Sequence, residues 1–183
     1  MAEPHPGHPI LHFLNSVSDD GKQRLTNSFV GPEGLRDTLV AAGLAPRETA
    51  VPGSGQMAAL IALREAAYAV LSAVAAGRRP DREEALMLET AIKSALQDAS
   101  LGFHAGGLAL VPGPLGGIHD QLVLLLFDLM RRDDLGRLCE CARCSHLFLD
   151  HGRGAGRRWC SMSRCGNRAK AAAFRLRKKA TTG

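Results

Sequence analysis

The chain has 183 residues, 45% of them hydrophobic and 4% aromatic, which is enough for one core with a small module appended. Its formal net charge of +5 hides a split: residues 139–183 hold 11 Lys or Arg against two acids, a formal +9, and residues 1–138 a formal −4. The opening Met-Ala-Glu-Pro-His-Pro lacks the basic start and apolar stretch of a secretory signal, so a cytoplasmic location is expected and a disulfide framework for the five cysteines is disfavoured.

In chain order, the first predicted helix runs from Pro32, a residue suited to the first turn, to a stop at Gly43. The clearest helix spans Ser54 to Ala76, with Met57, Leu60, Ile61, Leu71 and Val74 on its buried face and Gly77 as its stop. Asp81-Arg-Glu-Glu84 is a capping-box start for a helix reaching about Ala99. Leu101 to Val111 breaks the helical period, and Gly106-Gly107 between Phe103 and Leu108 predicts a hairpin. The last long helix of this region runs from about Leu115 to Arg132, with Ile118, Leu122, Leu125, Leu126 and Leu129 inward. Its apolar run, Leu122 to Phe127, is far too short to span a membrane. No Gly-rich phosphate loop follows a strand, and His12, His104 and His119 are scattered, so no enzyme signature stands out. A sensory, partner-binding or dimerisation role fits such a region better.

Asp133 to Leu138 then leads without a linker into the cysteine-rich tail, so the last helix and the tail are expected to move together. Cys139 with Cys144, and Cys160 with Cys165, form two short-spaced pairs, the pattern of a tetrahedral four-thiolate zinc site. Cys141 is the rival for the first position, since with Cys144 it makes the C-x-x-C knuckle common in structural zinc sites. His146 and His151 lie nearby as loop residues. Between the pairs, His146 to Asp150 reads as a short strand, Gly152 to Gly156 as a turn and Arg157 to Cys160 as the return strand. Gly166 to Lys179 is rich in Ala, Arg and Lys and predicts a helix with Ala169, Ala172, Ala173 and Leu176 on one side. Arg168, Arg175 and Lys179 cluster on another. The fold class expected is mainly α: a helical N-terminal domain with a small β-hairpin at 1–136, then a zinc-finger module of knuckle, hairpin and basic helix at 137–183.

Arg158-Trp-Cys-Ser-Met162, Cys165-Gly-Asn-Arg168 with Lys170, and Phe148-Leu-Asp150 soon after a Cys pair together resemble the CGNR zinc finger of bacterial proteins. In that family the first pair is usually C-x4-C ahead of a Phe-x-Asp strand, which implies Cys139, Cys144, Cys160 and Cys165 as the zinc ligands. A weaker likeness covers the rest. Leu11-His-Phe-Leu-Asn15 is similar to the opening of the ABATE domain, although Ser16 stands where Thr is usual. The resemblance implies a stress-induced transcriptional regulator with a structural Zn²⁺ and a finger that contacts DNA.

Charge supports the same expectation independently. Zinc bound by four thiolates removes about two units of positive charge from the tail and still leaves it strongly basic. Such a module attracts a polyphosphate backbone. The residues expected to touch nucleic acid are Arg157 and Arg158 on the return strand and Arg168, Lys170, Arg175, Lys178 and Lys179 on the helix. Asn167 as a cap and Arg168 as a partner of Asp150 are the structural alternatives. The module has only Phe148, Trp159 and Phe174 as aromatics, few for base stacking on RNA, and Trp159 is expected in the core. A small-molecule or protein effector at the helical domain and a homodimer complete the expected partners.

Overall fold

A computed structural model describes residues 6–18, 21–104, 107–113, 116–152 and 156–181, apart from the side chains of residues 104, 179 and 181. The elements are α1 (Ile10–Leu14), α2 (Gly31–Ala41), α3 (Ser54–Ala75), α4 (Arg82–Asp98), β1 (Ser100–His104), β2 (Gly107–Val111), α5 (Ile118–Arg131), a 3₁₀ turn (Leu135–Arg137), β3 (Leu138–Glu140), β4 (Leu147–Leu149), a π turn (Met162–Gly166) and α6 (Asn167–Thr181). The architecture is the expected one, mainly helical with two small antiparallel strand pairs.

Local chemistry accounts for the boundaries. Pro32 sits in the first turn of α2. The Asp81 carboxylate accepts from the Glu83 N–H at 2.9 Å and caps α4. Gly77, at φ +65, lets the Arg78 N–H return to the Ala73 carbonyl and close α3. β1 and β2 pair in register from Ser100↔Val111 to His104↔Gly107; Gly106, expected in the turn, lies outside the described residues, as does Leu115 at the expected start of α5.

One core joins α1, α3, α5 and the strand pair β3–β4. Leu60, Leu63, Ala67 and Leu71 of α3 and Leu122, Val123, Leu126 and Leu129 of α5 are buried together, whereas Met57, Ile61 and Val74 are only half-buried at the edge of α3's face. Ile10, Leu11, Phe13 and Leu14 of the five-residue α1 are all almost inaccessible. α3 is long and apolar enough by composition to cross a membrane, yet it is the central core helix, and its Arg64 is buried among partners rather than facing lipid.

Arg64 explains how this core takes in the chain after α1. Its guanidinium donates to the Ser16 carbonyl at 3.0 Å, to Asn27 Oδ1 at 2.7 Å and to Glu65 Oε1 at 2.7 Å, so a charge only 2% exposed is fully partnered. Arg24, in the left-handed region at φ 53, grips the other oxygen of Glu65 at 2.6 Å and the Leu14 carbonyl at 2.9 Å, and stacks on Tyr68. Burial opposes the charged forms of both Arg64 and Glu65, but the two guanidiniums hold the Glu65 carboxyl below its usual range.

The tail is anchored to this body rather than tethered. Leu138, Leu147 and Leu149 belong to the main core. Asn15 donates to the Leu147 carbonyl at 2.9 Å and accepts its N–H at 2.8 Å, adding a two-way bond between α1's end and β4. Lys22 and Ser72 both reach the Glu140 carboxylate on β3, and Arg24 reaches Ser145 Oγ at 3.2 Å.

Candidate metal centre

β3 and β4 pair through Leu138↔Leu149, Cys139↔Phe148 and Glu140↔Leu147. Side chains alternate along a strand, so the leucines face the main core and Cys139 and Phe148 face the opposite side. There they meet a second, smaller apolar cluster built from Cys141, Cys144, Phe148 and Cys165, with Cys139, Trp159 and Cys160 packed against it. Trp159 is a core residue, as expected.

The sulfurs of Cys141, Cys144, Cys160 and Cys165 all lie within 4.8 Å of one another. Cys144 to Cys160 is 3.6 Å, Cys160 to Cys165 is 3.6 Å and Cys165 to Cys144 is 3.7 Å. A tetrahedral Zn²⁺ with bonds of about 2.3 Å has sulfur–sulfur edges of about 3.8 Å, so these sulfurs stand where zinc would hold them. The donor set is all thiolate, which suits a structural zinc with no open position for water or substrate.

The clustered set differs from the ligand set expected from spacing and family pattern. Cys139 is outside the tetrad and Cys141 is in it. Cys139 lies in the ladder opposite Phe148 and packs against the cluster without joining it, whereas Cys141 lies past the strand's end, where its N–H bonds to the His146 carbonyl at 2.9 Å and closes a C-x-x-C knuckle. The knuckle spacing was the sequence signal for it. The return strand expected at Arg157 to Cys160 is also absent: β4's ladder partner is β3, upstream of the knuckle, and the later stretch is extended, bonded by Ala142 N–H to the Arg158 carbonyl.

Electrostatics shows why four thiols this close call for a cation. A hydrogen bond from Cys160 lowers the Cys144 thiol to about 5, with the His146 N–H assisting against burial. That thiolate in turn pushes Cys160 far up, and burial followed by the charge on Cys144 pushes Cys165 to about 12. Without a metal one thiolate suppresses its neighbours. A divalent ion removes that repulsion and favours all four charged forms.

The remaining motif residues hold the scaffold. Asp150 accepts from the N–H groups of Gly152 and Arg157, fixing the chain after β4; residues 153–155 of the expected turn lie outside the described residues. Cys165 and Gly166 belong to the π turn, where Ser161 Oγ accepts from the Arg164 N–H. A Cβ on Gly166 would sit 3.3 Å from Trp159 Cδ1 and 2.6 Å from Met162 Sδ, so this close-packed position suits glycine. Asn167 donates to the Ser163 carbonyl at 3.2 Å, tying α6 to the π turn.

The expected nucleic-acid residues separate into two groups. Arg158, Arg168, Lys170, Arg175 and Lys178 are exposed, and Lys179's side chain is outside the described residues. Arg157 is half-buried: its guanidinium stacks on Phe148 at 4.4 Å and donates to the carbonyls of Trp159 and Cys160, so it braces the metal loop. Of the apolar positions on one side of α6, Ala169 and Ala172 are half-buried and Ala173 and Leu176 exposed; Phe174 is 62% exposed. The helix leaves the body after its first turn, where it meets the π turn.

Two family models match the chain: the CGNR zinc finger over residues 137–178, and ABATE, described as "Putative stress-induced transcription regulator", over residues 7–142. The matches overlap across β3 and the start of the knuckle, the segment that the structure shares between the main core and the metal cluster. No curated protein matches the chain. The ABATE match covers most of the chain and the CGNR match the tail that holds the thiolate tetrad, so this protein belongs to the ABATE family and ends in a CGNR zinc finger with structural zinc.

Proposed function

We propose that this protein is a zinc-dependent DNA-binding transcription regulator of the cytoplasm, in which residues 137–183 contact duplex DNA and residues 1–136 form a sensory or dimerisation domain. The observation that carries the reading is α6: a 15-residue helix standing away from the body, with Arg168, Lys170, Arg175 and Lys178 exposed and no acidic residue along it. An isolated helix of that length is marginal in water, so a polyanion that neutralises its charge and accepts it into a groove supplies what the fold does not. Cys141, Cys144, Cys160 and Cys165 are the zinc ligands in this reading, and the ion fixes the helix's direction without performing chemistry. The protein is a binder, not an enzyme.

The test is salt-dependent binding of mixed-sequence duplex DNA by the zinc-loaded full chain. Lys170→Ala with Arg175→Ala is expected to weaken binding and lower the salt slope by about 2, one per lost phosphate contact. No binding at low salt would overturn the reading. The exposed Phe174 and Leu176 favour a second one, a zinc-stabilised protein-interaction module, in which α6 covers those side chains against a partner.

A further inference from the structure

A cleft of about 590 Å³ separates the helical body from the finger, within the size range of small-molecule sites. One wall comes from α1, the chain after it and α2, through His12, Ser16, Ser28 and Thr38. The other comes from the finger, through His146 on the knuckle, Arg157, Arg164 in the π turn and Arg168 at the start of α6. Val17, Ala41, Ala42, Leu147 and Phe148 supply apolar surface.

The charge of this lining is one-sided. Three arginines and two histidines line the cleft, and among the described residues no Asp or Glu does. Cys144, Cys160 and Cys165 also reach its floor, and a zinc tetrathiolate carries about two negative charges. Three guanidiniums outweigh that before either imidazole is counted. Hydroxyls stand on both walls, and those of Ser16 and Thr38 donate to the Phe13 and Gly34 carbonyls of their own wall. A positively charged, half-apolar recess is suited to a compact anion, and its size admits a small molecule rather than a nucleic-acid duplex.

We infer that the cleft between the ABATE body and the finger is a binding site for a small organic anion, whose phosphate or carboxylate group is held by Arg164 and Arg168 against the wall formed by α1, the chain after it and α2. Because the walls belong to different parts of the chain, an occupant fastens α6's first turn to the helical body.

The experiment uses the zinc-loaded full chain and measures thermal stabilisation and calorimetric binding with inorganic phosphate, pyrophosphate and citrate, against sodium chloride at matched ionic strength. Saturable stabilisation by at least one anion beyond the chloride control is expected; phosphate and pyrophosphate against citrate tell a phosphoryl from a carboxylate ligand. Arg164→Ala is expected to weaken binding at least tenfold. Thr38→Glu, which places a carboxylate on the opposite wall and leaves the finger untouched, is expected to do the same while zinc content and the circular dichroism spectrum stay unchanged. Arg175→Ala, on the projecting part of α6, is expected to bind as the parent does. Stabilisation no greater than chloride's for all three anions, or equal loss in Arg175→Ala with none in Thr38→Glu, would overturn the assignment. No nucleic acid enters the measurement, so its failure leaves the DNA reading standing, and failure of DNA binding leaves the cleft standing.

Discussion

At the scale of single residues, the two cysteines flanking Glu140 have the same chemistry and different fates. Cys139 is half-buried, and burial, with Asp150 adding to it, raises its thiol; Cys141 is fully buried within the tetrad. Cys141→Ser is therefore expected to lose stoichiometric zinc, and Cys139→Ser to keep it, as metal analysis of the purified variants would show. His8 makes a second residue-scale prediction. Its Nδ1 accepts from the Ile10 N–H at 3.3 Å, which leaves the proton on Nε2, 3.1 Å from an Asp128 oxygen. The neutral ring satisfies both contacts, and burial outweighs the pull of Asp128, so its pKa is below the usual 6.5. A histidine held neutral in the fold contributes stability that is complete above the unfolded value and lost as pH falls below about 6.5. Denaturant melts from about pH 7.5 to about pH 5.5 should show that loss, and His8→Gln should show a shallower one.

At the scale of elements, the helices of the body were legible because capping and stop signals carry local physics. Asp81 and Gly77 act where the pattern put them. α1 was not legible as a helix: five residues give too little periodicity, and its burial depends on what packs around it. The return strand failed for a related reason. A ladder is a contact between distant segments, and β3 was nearer in space to β4 than Arg157 to Cys160 was. α6 is a helix by composition, and its outer apolar positions, Ala173 and Leu176, are exposed. In the absence of DNA, amide hydrogen exchange in α6 is expected to be slow only near Asn167 to Ala169, beside the metal cluster, and fast beyond Phe174. Uniform protection along α6 in the free, monomeric protein would contradict this arrangement.

For the whole molecule, the finger and the body share structure. β3–β4 turns Leu138, Leu147 and Leu149 to the main core and Phe148 to the zinc cluster, so one strand pair is built into both. Glu140 adds a polar tie, since its carboxylate is held by Lys22 and Ser72; burial, then Glu140's charge, raises the Tyr68 hydroxyl to about 12. Removing zinc with a chelator is thus expected to lower the melting temperature of the whole chain, not to melt the tail alone. Leu147→Ala should cost about 2–5 kcal/mol, as for other buried leucines, and weaken metal binding with it. A chelated protein whose body melts unchanged would show the two parts to be independent.

What the amino-acid sequence settled by itself was chemistry that is local or compositional. A four-thiolate zinc site, a basic tail on an acidic body, the helix starts and stops and the family motif at Cys165 to Arg168 all depend on residue type and short spacing. Tertiary structure decided what depends on contacts between distant residues. It gathered the sulfur of Cys141, rather than that of Cys139, with those of Cys144, Cys160 and Cys165. It turned Arg157 inward to brace the metal loop and buried Arg64, whose place in an apolar helix makes sense only once Ser16, Asn27 and Glu65 surround it. It also set three arginines of the finger across a cleft from Ser16, Ser28 and Thr38, a juxtaposition of segments more than 100 residues apart that no local pattern encodes.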